Sequence, residues 1–185
     1  METLWIPESL PYDGSQLRSH WIFDRTGRAG DAICAFTGPA RVEAAHMVDR
    51  EDARAKAWIR SDAMLHFLVE HFGVGLYCGI LRQRLLIAIC GEELRIAHPE
   101  TVIVRRGNDL HEGMAKLSVA IATVSPVSCL LHAGINIAST NTPVCTKGLE
   151  DYGIAPAPFA TKVMERYAAE MAGVLHARAK VRAVP

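Results

Sequence analysis

"RRGNDLHEGMAKLSVAI", Arg105 to Ile121, sets two arginines, an Asn-Asp pair and a lysine around a short polar loop, then runs into an apolar strand. Two readings compete for it. Asn-Asp is a common turn pair, Asn tolerates the left-handed region, and a lysine beside a strand usually points at water. Alternatively, a lysine at the first residue of a buried strand is held in one place while its ammonium reaches past the strand end. That geometry neutralises a carboxylate, a phosphate or an acyl oxyanion. Asn108 and Asp109 in the preceding turn would then orient a polar ligand group or a bound water.

The flanks place this loop in a fold. "ETVIVRR" reads as a strand ending in the loop, and "KLSVAIATV" and "VSCLLHAGINI" as two strands joined at Ser125-Pro126, an antiparallel hairpin. Upstream, "LYCGILRQRLLIAICGEELR" has apolar residues at 76, 80, 81, 85, 86 and 89, the spacing of an amphipathic helix. "DAMLHFLVEHF" alternates Met64, His66, Leu68 and Glu70 with Leu65, Phe67 and Val69, as a strand does. Residues 30 to 36, "GDAICAF", read as a buried strand, and residues 38 to 60 as a long charged loop with a helical turn. "DGSQLRSHWIFDRTG" offers Asp13 or Ser15 as N-cap and Gly27 as a stop for a short helix. "PFATKVMERYAAEMAGVLHARAKV" is a long amphipathic helix with Pro158 in its first turn and basic residues at its end. The expectation is one α+β domain over residues 1–185, a mixed, largely antiparallel sheet backed by helices.

Composition narrows the function classes. Twenty basic and twenty acidic residues cancel, so no net field draws the chain to nucleic acid or to an anionic membrane. The N-terminal "METLWIPESLPYDG" lacks the pattern of a signal peptide, and apolar runs such as "LLIAIC" are far short of the roughly 20 residues that span a bilayer. Five scattered cysteines without C-x-x-C suit free thiols in a reducing cytoplasm, and the eight histidines show no metal-site spacing. No metal and a cytoplasmic location are therefore expected. A homodimer is expected because symmetric dimers are the commonest oligomers.

The opening motif, R-R-G-N-D-L-x5-K-L-S-V-A-I, resembles the biotin protein ligase signature, K-W-P-N-D-L followed five residues later by K-L-A-G-I. "HAGINI", His132 to Ile137, resembles that family's G-x-G-I-N-V/M strand, with Gly134, Ile135 and Asn136 on the match. "YDGSQLRSH…GRAGDAICAF" resembles its D-S-T-N helix start and G-D-A strand. The likeness covers about residues 12 to 138, and the whole chain resembles the archaeal and bacterial family called domain of unknown function 366. The resemblance implies the superfold of biotin ligases, lipoate ligases and lipoyl transferases. It implies that Lys116 contacts the carboxylate or acyl-phosphate being activated, and that Asp13, Ser15 and Gln16 lie near the acid-binding end. Where biotin ligases carry a Gly- and Arg-rich loop around the adenylate, this chain has "TGPARVEAAHMVDRED". Backbone amides freed by glycine let such a loop close on phosphates, so ATP and Mg are left open as cofactors.

The candidate site thus comprises Lys116 and Cys145 as catalytic residues, and Ser15, Gln16, Arg18, Arg106, Asn108, Asp109, Gly134 and Asn136 as substrate-binding residues. Cys145 follows the G-I-N strand, as does the acyl-accepting cysteine of lipoyl transferases, and Lys147 beside it would lower its pKa. The arginines of "LRQR", Arg82 and Arg84, read as anion clamps or as a solvated helix face, and the spacing favours the latter. Glu70, His71 and His111 stay outside the set, because a histidine on an apolar face is usually a satisfied core residue. The expected ligand is a small carboxylate or acyl compound, with a carrier protein as acyl acceptor in the enzyme case. Three classes of function follow: an acyl ligase or transferase, a non-catalytic binder that kept the pocket, or an interaction protein in which Lys116 and Arg106 face solvent.

Overall fold

In the computed structural model, residues 1–55, 59–138 and 144–184 are described. The alternation in 62–72 decides the architecture. It belongs to a long strand, Ile59–Phe72 (β3), at the centre of a five-stranded sheet. The other members are Glu2–Trp5 (β1), Ala32–Val42 (β2), Ser118–Val124 (β7) and Ser128–Asn136 (β8), in the order β1-β2-β3-β8-β7. Only β1 pairs in parallel. Two long helices, Leu76–Ala97 (α3) and Pro156–Lys180 (α4), back the sheet, and a second, three-stranded sheet packs at its end.

Because side chains alternate along a strand, each strand gives one set to the helices and one to the opposite face. Leu65, Phe67 and Val69 of β3 join Leu131, Ala133 and Ile135 of β8 and the inner residues of α3 and α4 in one core. Cys34 and Phe36 of β2 and Leu68 of β3 form a smaller core with Tyr12 and Ile22, the latter on Trp21–Thr26 (α1). The same face carries His66, Glu70, His132 and Asn136. The sheet is therefore apolar toward the helices and polar over part of its other side.

Four expectations are corrected. The short helix starts later than Asp13 or Ser15: α1 begins after His20, which takes a left-handed φ of 64°. The stretch from residue 38 is not one loop. β2 continues to Val42 across a bulge between Gly38 and Ala40, where Pro39, lacking an N–H, fits the break in the ladder. A 3₁₀ turn Ala44–His46 and a short helix Arg50–Arg54 (α2) follow, while residues 56–58 lie outside the described residues. The C-terminal helix starts at Pro156, with Pro158 inside its first turn.

The fourth correction concerns the opening motif. It folds as the three-stranded sheet of Ile103–Arg106 (β4), Asp109–Glu112 (β5) and Ala115–Lys116 (β6). Two tight turns connect them, through Gly107 at φ 60° and Gly113 at φ 57°, a region where glycine carries no Cβ penalty. Lys116 thus ends β6, two residues before β7, rather than opening the long strand.

Candidate functional site

A cavity of about 580 Å³ lies over the polar side of the main sheet. Its walls come from the 12–17 segment, the end of β2, the 46–52 segment, the β7–β8 hairpin and the turn before β5. Apolar contributions from Leu17, Val42, Met64, Val119 and Ile121 share the lining with polar and charged groups that could orient a small molecule.

At one end stands Lys116. Its backbone N–H donates to the Cys145 carbonyl at 2.9 Å, and its own carbonyl accepts from the Lys147 N–H at 3.2 Å. Asn136, 4% exposed, donates from Nδ2 to the carbonyls of both Lys116 and Lys147. The lysine backbone is pinned by strands on either side, which is what an accurately placed ammonium needs. Lys116 Nζ sits 2.9 Å from an Asp109 carboxylate oxygen. An ammonium has three N–H groups, so this pair leaves donors for a ligand. Asn108 accepts from Arg84 Nε at 3.2 Å through its Oδ1, which fixes the amide and, among the described residues, leaves its NH₂ to donate to a ligand.

The floor is aromatic and neutral. Tyr12 stacks on His132 with centroids 3.9 Å apart and planes within 10°, and His66 stacks between His132 and Phe36. His66 Nδ1 lies 3.1 Å from His132 Nε2, and His66 Nε2 lies 3.2 Å from the Gly38 carbonyl beside the β2 bulge. Burial pushes the His66 imidazole down to about 4 and His132 well below its ordinary value. Burial, with Asp13 nearby, raises the Tyr12 phenol. All three groups are therefore uncharged near neutrality.

The 46–52 wall is acidic. Asp49 caps α2 by accepting from the Glu51 and Asp52 N–H groups, and Asp49, Asp52 and Asp109 line the cavity together with Arg60 and Lys116. This wall occupies the sequence position at which the biotin ligase pattern has its Gly- and Arg-rich loop.

Of the sequence-expected residues, the cavity brings together Lys116, Asn108, Asp109 and Asn136. The 12–17 segment contributes Tyr12, Gly14 and Leu17, while Ser15 and Gln16 bond within the turn, to Asp13 and to Pro11. Arg18 pairs with Asp24 in the open, 2.9 Å away, and Arg106 is exposed outside the cavity lining. Gly134 lies on the polar face but outside the lining, where a Cβ would come within 2.3 Å of Met64 Sδ. Cys145 is exposed and touches Lys116 through its backbone. Its neighbour Lys147 pairs with Glu112 instead, an ion pair that raises the lysine and lowers the carboxyl. Residues 139–143, between the G-I-N strand and Cys145, lie outside the described residues.

Sequence reading missed Tyr12 and the His66–His132 pair, and it favoured a solvated helix face for Arg84. The alternation did hold a signal: His66 and Glu70 share a strand face, and a strand face carrying two ionisable groups faces something other than plain core. Glu70 is buried under the His20 N–H and the Ser128 hydroxyl, and His71 is held on the helix side between Asp31 and Tyr167.

Comparison with solved structures places this geometry among known folds. A protein of unknown function from Pyrococcus horikoshi superposes with a TM-score of 0.89 at 34% identity, over 99% of this chain and 100% of that one. A biotin protein ligase from Aquifex aeolicus, solved in complex with biotin and ATP, matches with a TM-score of 0.59 at 13% identity, covering 89% of this chain and 68% of that one. A putative lipoate protein ligase from T. acidophilum matches at 0.59 and 13% identity, over 91% and 84%. The last two likenesses establish the fold alone, that of biotin and lipoate ligases. With a family model matching residues 1–182, the chain belongs to the family described as domain of unknown function (DUF366).

Proposed function

We propose that the cavity binds a small carboxylic acid, or an acyl compound made from one, with the Lys116 ammonium against its acid or acyl oxygen. The observation that carries this reading is the placement of Lys116: the residue lines the cavity, Asp109 engages one of its ammonium donors, and Asn136 and Cys145 hold its backbone. In the enzyme form of this reading, the lysine stabilises negative charge growing on the acyl oxygen during ligation or transfer. The Asn108 amide, oriented by Arg84, would hold the second oxygen.

A second reading, a binder of the same fold without the chemistry, rests on the 46–52 wall. There a nucleotide triphosphate would meet the Asp49 and Asp52 carboxylates where neutral backbone amides would be needed. The exposed thiol of Cys145 also lies outside the cavity lining.

A thermal-shift panel separates these possibilities, using biotin, lipoate, octanoate, acyl-CoA and amino acids, each with and without Mg-ATP. A ligand at about 100 times its Kd adds roughly 2.7 kcal/mol, several degrees for a chain of this size. The expected result is a shift by an acid or acyl compound that is lost in Lys116→Ala. A further shift with Mg-ATP speaks for the ligase, and indifference to Mg-ATP for the transferase or the binder. Equal shifts in wild type and Lys116→Ala would remove the lysine from the site.

A further inference from the structure

The floor of the cavity has a fixed proton order. The Gly38 carbonyl can only accept, so His66 Nε2, 3.2 Å away, carries a proton. In the neutral ring Nδ1 is then bare and accepts, at 3.1 Å, from His132 Nε2. The one proton of neutral His132 is thereby placed on Nε2, and its Nδ1 keeps a lone pair. Both rings are boxed in by rings, Tyr12 and Phe36 as well as each other. Among the described residues no partner reaches His132 Nδ1 or the Tyr12 hydroxyl, although each residue is 4% exposed and lines the cavity.

This acceptor lies well away from the lysine. His132 precedes Asn136, which holds the Lys116 carbonyl, by four strand residues, about 13 Å along β8. Lys116, Tyr12 and His132 line the same cavity, so a ligand of that length with its carboxylate at Lys116 would reach the Tyr12–His132 stack with its far end. We propose that this floor is a hydrogen-bond-accepting pocket that selects acids bearing an N–H or O–H donor at the end remote from the carboxylate, and disfavours plain alkanoates of equal length. The physical ground is asymmetric. A donor on the ligand satisfies the lone pair, whereas a bare hydrocarbon strips it of water and leaves it unpaired. The Tyr12 hydroxyl, on the ring stacked against His132, offers a second polar contact to the same group. The inference rests on the acid-site reading above.

Two measurements test it. In ¹⁵N-histidine NMR of the wild-type protein, His132 should show a protonated Nε2 and a bare Nδ1, and a protonated Nδ1 would overturn the proposal without reference to any ligand. In calorimetry, a medium-chain alkanoate and its omega-hydroxy analogue are compared on wild type, Tyr12→Phe, His132→Phe and Lys116→Ala. The hydroxy acid should bind wild type about tenfold tighter, the value of one good hydrogen bond. His132→Phe should erase that gap, and Tyr12→Phe, which removes a single oxygen, should narrow it. Equal binding of both acids by wild type overturns the donor preference and leaves the acid site standing. If wild type binds neither acid, or Lys116→Ala leaves both affinities unchanged, the acid site falls and the donor preference with it.

Discussion

Asn136 shows how a residue quoted for its motif acts through its neighbours. Its amide bonds two backbone carbonyls, those of Lys116 and Lys147, so it positions the lysine more than it meets a ligand. Asn136→Ala leaves both carbonyls without that donor, and a loss of about 1–3 kcal/mol in urea unfolding is expected together with weaker acid binding. Arg84 offers the complementary case. Its bond to Asn108 is exposed, so Arg84→Ala should move stability by no more than about 0.5 kcal/mol. Acid affinity should still fall several-fold, because the Asn108 amide loses its fixed orientation. Unchanged affinity in calorimetry would make Arg84 part of the solvated face that its helical spacing suggests.

At the scale of elements, β3 was legible because its alternation is dictated by a sheet with two unlike faces, and β8 as the second strand of the hairpin. The two long helices were legible by period, and the hairpin by its turn. β1, β5 and β6 were not: four residues or two, with polar members such as Asp109 and His111, carry no pattern until pairing defines them. The continuation of β2 was hidden by Gly38 and Pro39, which punctuate a sequence yet here sit in a bulge. The site divided in the same way. The lysine turn and Asn136 stand in contiguous motifs, whereas Tyr12, His66 and His132 come from three distant segments that only the sheet register joins. The tight packing of β8 on β3 also has a measurable consequence. Gly134→Ala pushes a Cβ to within 2.3 Å of Met64 Sδ, and a cost of about 1–3 kcal/mol is expected. A double-mutant cycle with Met64→Ala should recover part of that cost, since the shortest approach is to that side chain, with Val119 Cγ2 next at 3.2 Å. Strict additivity would place the strain elsewhere.

For the whole molecule, the buried imidazoles set a pH response. His66 titrates near 6.5 in the unfolded chain and near 4 when folded, so between those values the unfolded chain binds the extra proton. Stability is then full above about pH 6.5 and falls as the pH drops toward 4, by about 3 kcal/mol for His66 alone, with His132 acting in the same direction. The groups packed around the pair are Tyr12 and Phe36, and Asp13 acts on the Tyr12 phenol. Urea midpoints measured across this range should decline in wild type and decline less in His66→Phe, and parallel curves would assign the acid lability to the carboxylates. No helix among the described residues is long and apolar enough to cross a membrane.

The most direct test of the acid site is calorimetric titration of the acid that shifts the melting temperature most, on wild type and on Lys116→Met. The substitution keeps the side chain's length and removes the ammonium that now pairs with Asp109. The account expects affinity to fall at least tenfold, the value of about 1.4 kcal/mol for one charge-assisted contact. Equal affinity in the two proteins would contradict it and reduce the likeness to acyl ligases to one of fold.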